Sequence, residues 1–156
     1  MLQSALKLVE VTANPERFFR ELPPAWKREA REVWPKVNAG TRIFILLEGD
    51  EFRGGGMLSL AVFPDMTAYA TKASAWYAKS YYYIGFLFVP ARFRSIGYGS
   101  IWLHEVRNVV PAKGFWLSIE KIGLLKFYAR AGFHLEHIVG KGKETEWLLV
   151  SPREDW

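Results

Sequence analysis

Apolar positions along this chain switch between two spacings, and the switches mark out its elements. Leu6 to Val11 alternates loosely and predicts a short first strand. Asn14-Pro15-Glu16 is a helix-start signal, with Asn14 as cap and Pro15 in the first turn, for a helix running to about Leu22. Pro23-Pro24 stops that helix and opens another over 25–34. There Trp26, Ala30, Val33 and Trp34 fall near helical spacing, and Pro35 and Gly40 close the segment. Thr41 to Leu47 predicts a strand, Glu48 to Glu51 a turn, and Phe52 to Phe63 a returning strand. Gly54-Gly55-Gly56 lies inside that return with no helix after it, which predicts a bulge or flexible hairpin arm rather than a phosphate loop.

The second half opens with an Ala-rich segment over 65–79, predicted helical with Asp65 or Thr67 as cap and carrying Tyr69, Trp76 and Tyr77. A continuous apolar run from Tyr82 to Val89 predicts a buried central strand. It breaks at Pro90, turns basic at Arg92 and Arg94, and ends in Gly97-Tyr98-Gly99. A helix follows over 100–110, with Trp102, Val106 and Val109 as a buried stripe supported by Leu103 and Val110, and with His104, Glu105 and Arg107 outward. After a turn at Pro111 to Gly114 come a short strand, Phe115 to Ile119, and a helix, Ile122 to Ala131, that Gly132 ends at its C′ position. Phe133 to Val139 and Glu146 to Val150 form a terminal hairpin around Gly140 to Lys143. The order β-α-α-β-β-(α)-β-α-β-α-β-β predicts an α/β (α+β) fold, a mixed sheet flanked by helices.

Composition narrows this modestly. The 156 residues suit one domain over 1–156, and half are hydrophobic, enough for a substantial core. The net charge of +5 favours an anionic partner without choosing among CoA, nucleic acid and acidic protein. The chain has no cysteine, which excludes disulfides, a cysteine nucleophile and thiolate-bound zinc. The N-terminus, Met1 to Val11, has no long apolar segment of the kind a secretory signal carries, and no run approaches the ~20 residues that span a bilayer. The expectation is a soluble cytoplasmic protein with no membrane partner.

The strand, basic glycine loop and helix from Tyr82 to Val110 suit an anion. The first amides of a helix lack internal partners and sit at the positive end of its dipole, and glycine lets main chain approach a phosphate closely. The spacing Arg94-x-x-Gly97-x-Gly99 resembles the acyl-CoA loop of the GNAT superfamily of N-acyltransferases. Phe127-Tyr128-Ala129-Arg130-Ala131-Gly132-Phe133 is similar to that family's Phe-Tyr-x-x-x-Gly-Phe segment. The resemblance is strongest over Tyr82 to Phe133. It implies a GNAT-like fold to which the helix at 65–79 is an addition, acetyl-CoA as cosubstrate with no metal, and a small-molecule or protein amine as acceptor. By resemblance, the strands at 82–89 and 115–119 splay apart at their carboxyl ends. Main-chain groups of Leu87 and Val89, flanking Phe88, pair with the pantetheine arm. Amides of Ser95, Ile96, Gly97, Tyr98, Gly99 and Ser100 hold the pyrophosphate beside Arg94, and Tyr128 protonates the departing thiolate. Three departures stand out. Lys121 occupies the place of a frequent Asn, proline follows Val89 one position early, and Tyr82 and Tyr83 stand where an acidic residue is frequent on the central strand.

Acyl transfer to an amine needs a neutral attacking nitrogen, a donor for the developing oxyanion and an acid for the leaving thiolate. Both substrates are held together, so no covalent enzyme intermediate is required. Glu48 and Glu120 each end a predicted strand and are candidate bases, although solvated strand-end carboxylates are the commoner case. A water relayed through Tyr82 or Tyr83 is a third option. Trp76, Tyr77, Tyr81, Tyr82 and Tyr83 line an acceptor pocket or simply pack a helix on the sheet. His134 and His137, three apart on a strand, point to opposite faces and make a poor metal site. Gly140 to Thr145 has fragments of a P-loop without its spacing or helix. Lys and Arg are scattered, which speaks against a nucleic-acid partner. The functional expectation is an acetyl-CoA-dependent N-acetyltransferase; the alternative is a non-catalytic acyl-CoA-binding domain. The acceptor, the acyl chain and the oligomeric state stay open, a homodimer included.

Overall fold

A computed structural model of the chain describes residues 5–156. Residues 1–4, part of the N-terminal stretch read above for a secretory signal, lie outside the described residues. The strands are β1 (Leu6–Glu10), β2 (Thr41–Glu48), β3 (Glu51–Ser59), β4 (Tyr81–Phe88), β5 (Gly114–Ile119), β6 (His134–Val139) and β7 (Glu146–Pro152). The helices are α1 (Glu16–Phe19), α2 (Pro24–Val37), α3 (Ala70–Ala78), α4 (Tyr98–Val109) and α5 (Leu125–Arg130). The strands form one mixed sheet in the order β1-β2-β3-β4-β5-β7-β6. The described chain clusters into two compact units, 5–59 with 85–111 and 60–84 with 112–156, so β4 contributes to both.

In the first unit, β1, β2 and β3 run antiparallel in register from Leu6↔Glu48 to Thr41↔Ser59. The core side chains are Phe18, Phe19, Ala30, Val37, Ile43, Ile45, Leu46, Met57, Leu58, Trp102, Leu103 and Val106, all nearly free of solvent. The three glycines sit inside regular β3, buried, and not on a flexible arm. A Cβ on Gly55 would stand 2.8 Å from the Phe18 ring, and one on Gly56 would stand 2.9 Å from the Trp102 ring. Successive strand residues face opposite ways, so the run seats α1 on one side of the sheet and α4 on the other. The expected bulge is real but falls beside the run. Leu46 pairs with Gly54 and Leu47 with Phe52, which leaves Arg53 as the extra residue. Trp102 is fixed by a 3.0 Å bond from its Nε1 to the Phe44 carbonyl.

The sequence reading missed some boundaries. α1 is one turn long and begins after Pro15, with no side-chain cap from Asn14, because the chain tightens into 3-10 turns as far as Leu22. α2 runs through Pro35 to Val37. Proline removes one amide, which is tolerable in the last turn where few bonds remain to be made. β3 stops at Ser59. Val109 is 51% exposed. It is the last residue of α4 and lies ~60° from Val106, the middle of the buried stripe, so nothing covers it.

In the second unit, β4 pairs with β5 in parallel over Tyr81↔Gly114 to Tyr83↔Trp116. β5 pairs with β7, and β7 with β6, both antiparallel. The predicted helix at 65–79 is split. A 3-10 stretch, Pro64–Tyr69, leads into α3 across a break at Tyr69, which is itself buried. α3 lays Trp76 and Tyr77 against Trp116, at 4.8 and 5.8 Å between ring centroids, and Tyr83 meets the same indole at 4.7 Å. Phe115 stacks on Trp156 at 5.1 Å. Gly140 and Gly142 adopt positive φ in the terminal hairpin turn.

Candidate functional site

Three left-handed residues shape the end of β4 and the loop after it: Phe86 (φ 53°) lies within the strand, and Ser95 (φ 66°) and Gly97 (φ 98°) shape the approach to α4. A non-glycine residue in this region costs about 1–3 kcal/mol and persists only where its surroundings enforce it. At Phe86 that enforcement is visible, since Trp26 of α2 stands edge-on over Phe86 at 5.8 Å and over Phe88 at 6.3 Å. Gly97 caps α4, and its Cα hydrogen faces open space.

The Gly97 carbonyl takes the Ile101 amide at 3.0 Å, the first closed turn of α4. Upstream, the Phe93 amide bonds the Pro90 carbonyl and the Arg94 amide the Ala91 carbonyl, forming a short 3-10 turn. Between these, the amides of Ser95 to Ser100 have no main-chain acceptor among the described residues. Ser95, Ile96, Gly97 and Ser100 are exposed, and Tyr98 and Gly99 are half-buried. The result is a row of unsealed donors at the positive end of a three-turn helix.

Arg53 anchors this loop, and sequence reasoning missed it. It is the bulged residue of β3, buried, with its guanidinium 4.0 Å over the Phe93 ring and 5.8 Å from the Tyr98 ring. Its Nη atoms reach Glu48 at 2.9 Å and Glu51 at 3.0 Å, and Glu51 also meets Arg92 at 3.3 Å. Arg53 and then Arg92 hold the Glu51 carboxyl below its ordinary range. A charged residue in an otherwise apolar glycine strand was the available signal. Glu48, a candidate base, is therefore an ion-pair partner of Arg53. Arg94 is exposed and turns back on its own strand. Its Nε donates to the Val89 carbonyl at 2.9 Å, with the guanidinium 5.8 Å from Phe88. The Val89 carbonyl, one of the main-chain groups read above as pantetheine partners, thus already accepts one bond. Leu87, Phe88 and Val89 are half-buried.

Those residues belong to the first unit; Tyr128 and Glu120 belong to the second. The carbonyl of Tyr128 accepts the amide of Phe133 at 3.0 Å while Gly132 (φ 92°) bonds Ala129, a helix-ending motif that folds Phe133 back onto Tyr128 at 5.6 Å. Local physics thus explains the glycine and final phenylalanine of the Phe-Tyr-x-x-x-Gly-Phe segment without explaining the hydroxyl. That hydroxyl has no hydrogen-bond partner among the described residues, and burial pushes its pKa up to about 12. Glu120 is exposed just past β5. Tyr83 is held well above the ordinary phenol range by burial, while Trp76, Tyr77 and Tyr83 pack around Trp116. His134 is exposed and 3.1 Å from Glu136, whereas His137 packs 5.8 Å from Trp76. Among the described residues no group of three His, Asp or Glu side chains could hold a metal ion, and no helix is long and apolar enough to cross a membrane.

No family model and no curated protein sequence matches this chain. Solved structures do. A GNAT family acetyltransferase from Elizabethkingia anophelis with acetyl-CoA bound aligns with a TM-score of 0.64 at 13% identity, over 94% of this chain and 97% of that one. An acetyltransferase from Thermus thermophilus aligns at 0.62 and 17%, over 97% and 99%. A spermidine N-acetyltransferase chimera from Vibrio cholerae and hSSAT aligns at 0.64 and 11%, over 96% of each chain. At these identities the likeness speaks for architecture, and it spans nearly every element described above: this chain has the fold of the GNAT acyltransferase superfamily.

Proposed function

We propose that the protein is an N-acetyltransferase that moves an acetyl group from acetyl-CoA to a primary amine by direct attack. One observation carries the reading. The amides of Ser95 to Ser100 open α4 with no main-chain acceptor, on a loop held by Arg53 and by left-handed Ser95 and Gly97. A diphosphate supplies the acceptors such a row lacks. Similar solved structures, one with acetyl-CoA bound, support the choice of CoA over other diphosphates. The spermidine acetyltransferase among them supports a small amine as acceptor.

In this reading the amine nitrogen attacks the thioester carbon, the C–N bond forms, the C–S bond breaks, and the nitrogen sheds one proton. Tyr128 is assigned to the leaving sulfur. Its hydroxyl, pushed up to about 12, is protonated at neutral pH. Handing that proton fully to a thiolate of ordinary pKa (about 8.5) would be uphill by ~5 kcal/mol. The role that fits is a hydrogen bond to sulfur as charge develops, with the thiolate's final proton drawn from the nitrogen's by way of solvent. For the base, Glu120 keeps a solvent-facing carboxylate, whereas Glu48 is held by Arg53. Leu87 and Val89 remain the proposed main-chain partners of the pantetheine arm, and Arg94 remains a phosphate ligand through its terminal nitrogens.

Isothermal titration with acetyl-CoA tests the binding half; no heat at millimolar ligand would sink the reading. Thiol release across an amine panel tests the catalytic half. The second reading, an acyl-CoA-binding domain without turnover, draws on the lack of any acidic residue in β4 and on the engagement of Glu48 by Arg53. Binding without thiol release would select it.

A further inference from the structure

An acidic residue that the sequence reading passed over closes one end of the second unit. Glu146 is the first residue of β7, opposite Val139 of β6, and is half-buried. Its Oε1 accepts two hydroxyls, Ser118 Oγ at 2.7 Å and Tyr69 at 3.3 Å. Its Oε2 has no partner among the described residues, and Glu146 enters none of their ion pairs. Tyr69 also stands edge-on to Trp116 at 6.2 Å, whose other ring neighbours are Trp76, Tyr77 and Tyr83. Trp116 is fully buried and its Nε1 has no acceptor.

Acidic side chains act on the phenols of this cluster. Burial first, then Glu146 and Asp65, raises the Tyr69 phenol; burial, then Tyr69 and Asp65, raises Tyr77. These phenols therefore stay neutral and serve only as donors and ring faces. A half-buried carboxylate with one oxygen oriented by two hydroxyls and the other unclaimed is an unbalanced charge.

We propose that Glu146, oriented by Ser118 and Tyr69, binds a cationic nitrogen of the acceptor, and that this nitrogen is a second one rather than the one acetylated. A carboxylate beside an ammonium favours its charged form, whereas the attacking nitrogen must be neutral. Glu146 is thus a specificity-determining residue, and the acceptor class is an amine with at least two basic nitrogens. The assignment deepens the transferase reading and rests on it.

The test compares propane-1,3-diamine, butane-1,4-diamine and pentane-1,5-diamine with monoamines of equal length, by thiol release at saturating acetyl-CoA. The best diamine should show a KM about tenfold below its monoamine, with little change in kcat. Glu146→Gln should erase that preference while acetyl-CoA affinity stays within about twofold by titration calorimetry. Ser118→Ala, a smaller change, should shift the diamine KM in the same direction by about threefold. Equal KM values for diamines and monoamines in the unmodified protein overturn the assignment and leave the transferase reading standing. So does a diamine preference that survives in folded Glu146→Gln. No thiol release with any amine overturns both.

Discussion

Single side chains in this protein are held by neighbours that their own positions along the chain do not reveal. Tyr128 is tied by its carbonyl to the end of α5, while its hydroxyl has no partner and is pushed up to about 12 by burial. If it donates to the leaving sulfur, Tyr128→Phe should lower kcat about 10- to 100-fold and leave acetyl-CoA affinity unchanged. Because the phenol remains protonated well above neutrality, the kcat profile between pH 6 and 10 should show no limb that the phenylalanine variant removes. Turnover that survives the substitution would take Tyr128 out of the chemistry. Arg53 makes a complementary case. Its guanidinium joins Glu48 and Glu51 to the Phe93 and Tyr98 rings at the head of α4. Arg53→Met keeps much of the stem and loses the fork. Acetyl-CoA affinity should fall about tenfold, and amide exchange should quicken over 93–98. Unchanged exchange there would show that the loop does not depend on this anchor.

Elements are placed by glycines, and the reason differs from one glycine to the next. Gly56 is needed for space, since a methyl group there would meet a Trp102 ring that its own hydrogen bond holds in place. Gly97 has all the space it needs and is constrained only by its φ of 98°. Gly56→Ala should therefore cost stability, about 1–3 kcal/mol in urea unfolding. Gly97→Ala should cost ~1 kcal/mol of stability, but it would re-aim the α4 amides and weaken acetyl-CoA binding by a larger free energy. Similar losses of stability and affinity in the two variants would contradict this division. The same contrast shows what the sequence made legible. The strands, the turn at Gly132 and the loop-to-helix junction at Gly97 follow from local rules, and each stands within a few residues of its expected place. The Gly54-Gly55-Gly56 run was read as a bulge or an arm; the bulge lies next to it at Arg53, and the reason for the glycines themselves lies in Phe18 and Trp102, remote in sequence. Arg53, Trp26 and the left-handed Phe86 were invisible for the same cause: each is defined by a partner that only the fold supplies. Glu146 looked like the start of a strand until Ser118 and Tyr69 were seen beside it.

At the scale of the molecule, ion pairs set how the fold answers to acid. Glu10 pairs with Arg42 at 2.8 Å, Glu16 with Arg31 at 2.6 Å, and Glu51 with Arg53 at 3.0 Å, all in the first unit. In each case the paired arginine is the chief cause that lowers the carboxyl pKa. A carboxyl lowered on folding binds its proton more weakly in the folded state than in the unfolded one. Its contribution is complete above the unfolded value, about 4.3, and disappears as pH falls through the lower folded value. Stability should therefore hold between pH 7 and 5 and drop below ~4. The pairs are largely exposed, so each contributes little at physiological salt. The double variant Glu10→Gln with Glu16→Gln should accordingly lose little at pH 7. Its fall in stability from pH 5 to 3 should be shallower than that of the parent, and the difference should shrink in 1 M salt. Urea unfolding at pH 7, 5 and 3.5 would measure this. Parallel acid profiles for parent and variant would move the acid sensitivity to other groups, the Glu51–Arg53 pair first among them.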